Sequence, residues 1–299
     1  MDLERYNQHY QHLLLSYPAP GVLELKMNRP KKRNALNVRH YTEIGHFFTH
    51  VAPILTACRC ILFTGAGPIF SSGIDLAGMA EGIGGVAKTD DAASNDPVIQ
   101  KAAGVLRNGG LWQQAHLAIH KCRKPVLACM QKGVYGAALE MICFADIRFC
   151  TADCLFQAPE VDLGFAADIG GNQMFGKIIG NDSLLRELVL TGRRFTADEA
   201  HHFGLVSRVC TDAKELYDNA LQVATSIAAK SPIATQGVKT MLNYSRNHTI
   251  EDALQFGLVW NTSFIQTNDT AIAGMAFMGK TKPIFPDPPI LDNALPSKL

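Results

Sequence analysis

The sequence predicts an α/β fold followed by a helical C-terminal region, and three observations carry that reading. Short apolar runs of five or six residues recur through the first two thirds of the chain, with helix-period segments between them. Glycine, asparagine and proline punctuate the junctions. Beyond about residue 209 the strand pattern stops, and apolar residues recur at helical spacing alone. The expected organisation is a core over residues 1–205 and a helical region over residues 206–299 that ends in an extended tail.

Taken in order, Val22 to Met27 alternates, with Leu23, Leu25 and Met27 on one side, and reads as a strand. A basic turn follows from Arg29 to Arg33. Asn37 then stands where an N-cap belongs, ahead of a helix with Val38, Tyr41, Ile44, Phe47, Phe48, Val51 and Leu55 on one face. Cys60 to Thr64, Val126 to Met130 and Asp146 to Cys150 supply further strands. Gly78 to Asn95 is rich in Gly, Asp, Ser and Ala and reads as a surface insertion. In the last third, Leu216, Tyr217, Ala220, Leu221, Ala224, Ile227 and Ala228 fit one helix, and Ser231-Pro232 opens the next. Thr249 with Asp252 has the form of a capping box. No internal repeat is visible.

Composition excludes several function classes. The 299 residues carry 28 Lys+Arg against 27 Asp+Glu, a net charge of +1, with 47% hydrophobic residues. That balance opposes disorder and lacks the electrostatic footprint of a nucleic-acid binder. No apolar run approaches the ~18 residues needed to span a bilayer. The eight cysteines form no CxxC and sit mostly in apolar stretches, as reduced structural thiols would. The first residues, with Asp2 and Glu4, lack the features of a secretory or transit peptide. The chain ends in Ser297-Lys298-Leu299, a receptor-read peroxisomal address. The expected location is a peroxisome or a related, glycosome-type organelle, with an import receptor as partner.

Three features bear on chemistry. Phe70-Ser71-Ser72-Gly73-Ile74-Asp75-Leu76 and Gly133-Val134-Tyr135-Gly136-Ala137-Ala138-Leu139-Glu140 each follow a strand, and their small residues let a ligand approach the backbone. Two unpaired N–H groups aimed at one oxygen would make an oxyanion hole, although such turns are more often only structural. Glu140, Glu160 and Asp168 are the candidate acids. Asp168 has small and apolar neighbours and no local basic residue, so poor solvation is expected to raise its pKa toward acid/base use. That Glu160 and Asp168 merely cap turns fits the sequence equally well. His116 and His120 are spaced i, i+4 without the Glu of a zinc protease, so no metal site is expected. Lys31, Lys32 and Arg33 form either a solvated turn or a contact for a ligand phosphate.

Taken together, these pieces resemble the crotonase (enoyl-CoA hydratase/isomerase) superfamily over nearly the whole chain. The matching segments are Asn28-Arg29-Pro30 with Asn34-Ala35-Leu36-Asn37, the stretch Phe70 to Leu76, the Gly136 turn, Ala145-Asp146-Ile147-Arg148, Thr191-Gly192 with Ala197-Asp198-Glu199-Ala200, and Gly204-Leu205-Val206. Phe165-Ala166-Ala167-Asp168-Ile169-Gly170, the tail stretch Ser263 to Thr267 and the terminal tripeptide are most similar to the dienoyl-CoA isomerases. The resemblance implies a spiral of ββα units with C-terminal helices that pack a trimer or hexamer. It implies an acyl-CoA substrate and no metal or redox cofactor, coenzyme A being part of the substrate. The backbone N–H groups of Ile74 and Ala137 become the oxyanion hole, Glu160 and Asp168 the proton-transfer pair. Lys32, Ala35, Ser71, Ser72, Gly73, Ile74, Asp75, Leu76 and Ala137 line the CoA site, and Arg29 to Arg33 meet the CoA phosphate. Two departures stand out: Ala137 replaces the usual glycine, and Glu140 replaces the aspartate common in the isomerases. Glu140 with Glu160 matches the water-activating pair of the hydratases, so hydration stays open as the alternative. A non-catalytic CoA-binding or RNA-binding relative is opposed by the retained acids and the +1 charge.

Overall fold

Residues 3–76 and 97–288 are described by the computed structural model of the chain. The expected surface insertion from Gly78 to Asn95 and the terminal Ser297-Lys298-Leu299 lie outside them.

The strands β1 (Leu13–Ala19), β2 (Val22–Met27), β3 (Cys60–Gly65), β4 (Val126–Met130), β5 (Gly133–Tyr135), β6 (Ile147–Thr151), β7 (Leu155–Gln157), β8 (Phe195–Thr196) and β9 (Arg208–Cys210) divide between two sheets. The larger sheet has the order β1-β2-β3-β4-β6-β9 and the smaller β5-β7-β8. Only β1 runs antiparallel in the larger sheet. The helices are α1 (Glu4–His9), α2 (Val38–His46), α3 (Pro97–Lys121), α4 (Ala137–Ile142), α5 (Gly171–Ile178), α6 (Asp182–Thr191), α7 (Ala197–His202), α8 (Ala213–Ala228), α9 (Pro232–Ser245), α10 (Ile250–Phe264) and α11 (Asn268–Met278).

A parallel sheet must be covered on both faces, and strand alternation sorts the side chains accordingly. Leu23, Leu25, Ile61, Phe63, Val126 and Ala128 join the core shared with Tyr41 and Ile44 of α2 and Ala115 and Ile119 of α3. Val22, Leu62, Leu127, Cys129 and Phe149 point the other way, against Leu216, Ala220, Ala224 and Ala228 of α8. The core thus runs past the expected boundary at residue 205, because β9 completes the sheet and α8 covers its second face.

The ββα spiral is visible in how consecutive strands are shared. β4 enters the large sheet, β5 the small one, and α4 follows; β6, β7 and α5 repeat the pattern. Parallel pairing of β4 with β6 and of β5 with β7 stacks the two units in register.

Local signals act where the sequence places them. Asn37 Oδ1 accepts from His40 N at 2.9 Å, Ser231 Oγ from Ala234 N at 3.1 Å, and Thr249 Oγ1 from Asp252 N at 3.1 Å. The long stripe expected from Val38 to Leu55 is buried from Tyr41 onward, with Val38 exposed, and follows three hydrogen-bonding patterns, since α2 widens to a π-helical turn at Phe47–Val51 and tightens at Ala52–Ile54. Lys239 of α9 reaches back to Asp146 at 2.7 Å and to the Lys124 carbonyl at 3.1 Å, fixing the helical region to the sheet. All eight cysteines are free and buried. Among the described residues, no helix is long and apolar enough to cross a membrane.

Candidate active site

The site begins with one buried amide. Arg33 and Asn34 both adopt left-handed backbone conformation, at φ 50° and 51°, which turns the Asn34 side chain beneath its own loop. Its Oδ1 accepts from Arg29 N at 2.9 Å, and its Nδ2 lies within hydrogen-bond distance of the carbonyls of Ala66 (2.8 Å), Ile69 (3.1 Å) and Phe70 (2.9 Å). The loop after β2 is thereby fastened to the loop after β3. Ser71 Oγ donates to Asn34 O at 2.8 Å, Ser72 N to Arg33 O at 3.0 Å, and Leu36 N to Gly73 O at 2.8 Å.

This stitching corrects part of the expected CoA lining. Ser71 is fully buried and its hydroxyl is used within the loop, so it shapes the site from behind. The Asp75 carboxylate pairs with Arg29 at 3.0 Å, and Arg29 also donates to the Ala35 carbonyl at 2.6 Å. Arg29 and Asp75 therefore hold the two loops together. Lys31, Lys32, Arg33 and Leu76 are exposed, Ser72 and Ile74 are half-buried, and Ala35 and Ala137 are buried.

Gly73 brings the second element alongside. Its φ of +83° favours glycine, and a Cβ there would lie 2.5 Å from the Tyr135 carbonyl oxygen and 3.7 Å from the Ala137 nitrogen. Gly136, at φ 51° and ψ −125°, makes the turn into α4. Gly136 N donates to Gln157 O at 2.9 Å, whereas the N–H groups of Ile74 and Ala137 meet no acceptor among the described residues. Two unengaged donors thus sit on adjacent strands of backbone, one of them in the first turn of a helix.

Two of the three acids are deeply buried. Glu140 of α4 is 2% exposed, and its Oε2 accepts from Gly171 N at 2.6 Å. A Cβ on Gly171 would fall 2.6 Å from Glu140 Cγ, so only glycine admits that approach. Burial pushes the Glu140 carboxyl up to about 8, against the pull of the Gly171 N–H and with further help from Glu160 and Asp168. Glu160 opens a short 3-10 turn, Glu160–Leu163, and burial raises its pKa too, with Asp168 adding to the rise. Its Oε2 has no partner among the described residues, and its Oε1 lies 3.1 Å from where a Gly136 Cβ would stand. Glu160 is therefore one residue from the Ala137 donor. Its free oxygen is placed to accept a proton.

Asp168 is different. It is solvent-exposed, contrary to the expectation from its apolar neighbours, because Phe165 and Ala166 of the same loop are exposed with it. Neighbours in sequence do not enclose a side chain when the whole segment lies on the surface. The structure still brings it toward the glutamates, since its charge acts on Glu140, Glu160 and the buried Tyr41 phenol alike.

Tyr41 is a residue that sequence reasoning placed only in the core stripe. It is fully buried, its hydroxyl has no partner among the described residues, and its pKa is raised first by burial and then by all three acids. Its ring stacks on Trp112 at 5.3 Å and lies 5.6 Å from His116. A separate cavity of about 620 Å³, lined by residues such as His46, His50, Leu111 and Lys121, contains none of the three acids. Convergent chemistry rather than volume locates the site.

The family model for enoyl-CoA hydratase/isomerase matches residues 19–288. The chain belongs to that family. A relative from Mus musculus, named delta(3,5)-delta(2,4)-dienoyl-CoA isomerase, mitochondrial, is 38% identical over 275 residues, 92% of this chain and 81% of its own. A relative from Arabidopsis thaliana, named as the peroxisomal dienoyl-CoA isomerase, is 34% identical over 89% of this chain and 92% of its own. The crystal structure of enoyl-CoA hydratase from Bacillus anthracis superposes with a TM-score of 0.81, covering 92% of this chain and 99% of that one at 24% identity. That likeness establishes the crotonase-like fold. As a member of the enoyl-CoA hydratase/isomerase family, the chain is an enzyme acting on enoyl-CoA thioesters. No metal-holding group of three or more His, Cys, Asp or Glu is present among the described residues.

The displaced Glu140 titration has a consequence for stability. Its folded value of about 8 exceeds the ordinary 4.5, so the folded state binds the proton more tightly. The resulting stabilisation is complete below the unfolded value and is lost as pH rises through the folded one. Relative to Glu140→Gln, the wild-type unfolding free energy should fall by up to about 1.4 kcal/mol per pH unit across that window. Urea denaturation of both proteins from about pH 5 to about pH 8 measures it, and a pH-independent gap would refute the assignment.

Proposed function

We propose that the chain isomerises 3,5-dienoyl-CoA to 2,4-dienoyl-CoA in fatty acid β-oxidation. The observation that carries this reading is the gathering of three carboxylates, with the charges of Glu160 and Asp168 acting on Glu140 and that of Asp168 on Glu160, beside the unengaged N–H groups of Ile74 and Ala137. The names and identities of the mouse and Arabidopsis relatives support it.

In this reading the thioester oxygen accepts from Ile74 N and Ala137 N. Glu160 takes a proton from C2, and the electron pair delocalises over the diene as a dienolate whose charge rests largely on that oxygen. Asp168 delivers a proton to C6, leaving double bonds at C2–C3 and C4–C5. Loss of one oxyanion donor costs on the order of 3 kcal/mol in comparable sites. Glu160 suits the base role because its buried oxygen is unpaired, and burial raises its proton affinity. Glu140, neutral near pH 7 and tied to Gly171, supports Glu160 without adding a second buried charge. Lys31, Lys32 and Arg33 are exposed and would be available to a CoA phosphate.

Hydration of 2-enoyl-CoA is the second reading, favoured by the burial of Glu140 and Glu160 as a pair while Asp168 stands at the surface. Assembly into trimers or hexamers would cover Leu242 of α9, Leu254 and Leu258 of α10 and Phe277 of α11, which are 62%, 70%, 67% and 86% exposed. Leu221 and Ile227 of α8 pack on the chain's own second core. Ser297-Lys298-Leu299 would address the enzyme to a peroxisome-type organelle through its import receptor.

Asp168→Asn should abolish diene isomerisation, followed by diene absorbance, while sparing hydration of a 2-enoyl-CoA; retained isomerase turnover would sink the assignment. Glu140→Gln should stop hydration and only weaken isomerisation, by about tenfold or less. Leu258→Glu should shift the species seen by light scattering from an oligomer toward a monomer, and a wild-type monomer would end the assembly proposal. Deleting the last three residues should leave a fluorescent fusion in the cytosol, and unchanged organellar targeting would count against the address.

A further inference from the structure

The short segment Asp168–Gly171 carries the exposed acid, and its own sequence does little to fix it. Gly170 has φ +124° and Gly171 follows it, so half the segment is glycine. Among the described residues it is held by three side chains from outside. Gln113 Nε2 donates to the Asp168 carbonyl at 2.7 Å, His116 Nδ1 lies 2.8 Å from the Ile169 carbonyl, and Gly171 N donates to Glu140 Oε2 at 2.6 Å. The first two come from adjacent positions on one turn of α3. A local bond from Asn172 Nδ2 to the Ala167 carbonyl, at 2.8 Å, turns the loop but attaches it to nothing else.

We propose that Gln113 and His116 are positioning residues that clamp consecutive carbonyls and so set where the Asp168 carboxylate stands relative to Glu140 and Glu160. This rests on the isomerase reading of Asp168. A carbonyl only accepts, so His116 Nδ1 carries the proton in this contact. Burial keeps the ring neutral by lowering its pKa to about 4, and the Nδ1 donor therefore persists across the working range. The ring cannot swing away. It is wedged between Tyr41 at 5.6 Å and Phe144 at 5.3 Å, and Tyr41 is itself stacked on Trp112. Gln113 is exposed, with its amide committed to the loop. The clamp thus pairs a rigid buried donor with a solvent-side one, and together they oppose rotation of the Asp168–Ile169 peptide. Proton delivery to a fixed carbon needs an acid held within a fraction of an ångström, and looser placement lowers turnover more than binding.

The test uses the full-length protein. Gln113→Ala is expected to lower kcat on a 3,5-dienoyl-CoA by about three- to tenfold, and His116→Leu by about ten- to a hundredfold, with KM changed less than about twofold. His116→Asn, which restores an N–H donor near the Nδ1 position, should recover most of the loss. Amide hydrogen exchange over residues 164–172 should rise in the Ala and Leu variants and return toward wild type in His116→Asn. Wild-type kcat in Gln113→Ala, or a His116→Asn enzyme as slow as His116→Leu, overturns the clamp. Because Gln113 is on the surface, its variant keeps the proposal testable even if His116→Leu fails to fold. Asp168→Asn run alongside separates the two ideas: if it keeps full isomerase turnover the isomerase reading fails, whereas if it is inactive and Gln113→Ala is normal only the clamp fails.

Discussion

The buried amide of Asn34 ties the loop after β2 to the loop after β3, and the geometry of the site depends on that tie. Its oxygen takes a backbone N–H from one loop, and its nitrogen faces three carbonyls of the other. Unpaired, each of those groups would cost about 1–3 kcal/mol on burial. With the tie in place, Ser71 and Gly73 bond to the same loop, and Gly73 can press against the Tyr135 carbonyl. The Ile74 and Ala137 N–H groups are neighbours for that reason. No side chain aims them; the loops do.

The second constraint is electrostatic. Three carboxylates share one region that, among the described residues, offers Glu140 and Glu160 no cation, and burial resolves the crowding by holding Glu140 protonated near neutral pH. A neutral Glu140 can rest against the Gly171 N–H and leave Glu160 as the one buried group free to carry charge. The third acid avoids the same penalty by standing in solvent. Acids separated by environment in this way would let one functional group serve different tasks.

Much of the frame was legible in the sequence because local chemistry and tertiary packing agree there. The alternation of Val22 to Met27 sorts onto two faces, and Asn37, Ser231 and Thr249 cap the helices they precede. The short strands β5, β7 and β8 were not legible, since two or three residues carry no period. For the same reason a repeated ββα unit left no repeated sequence. Within the site, the glycine turns and the three acids could be named in advance, but their roles in the lattice of bonds could not. Arg29 looked like a phosphate ligand and is the partner of Asp75, a contact across 46 positions that no local pattern encodes. Asp168 looked enclosed because burial was inferred from sequence neighbours. His116 stood out only for its i, i+4 spacing with His120, which says nothing of the Ile169 carbonyl it meets across 53 positions.

The eight cysteines acquire a meaning beside enoyl thioesters. Conjugated thioesters are electrophiles at their β-carbon, and a thiolate adds to such a carbon readily. Every cysteine of this chain is buried, and burial drives the thiols of Cys58 and Cys143 up to about 12, where almost none is ionised at neutral pH. Cys143 lies three residues beyond Glu140, on the helix turn that backs the site, yet its Sγ donates to the Leu139 carbonyl inside the fold. A chain so rich in sulfur is thereby protected from alkylation by the molecules it processes.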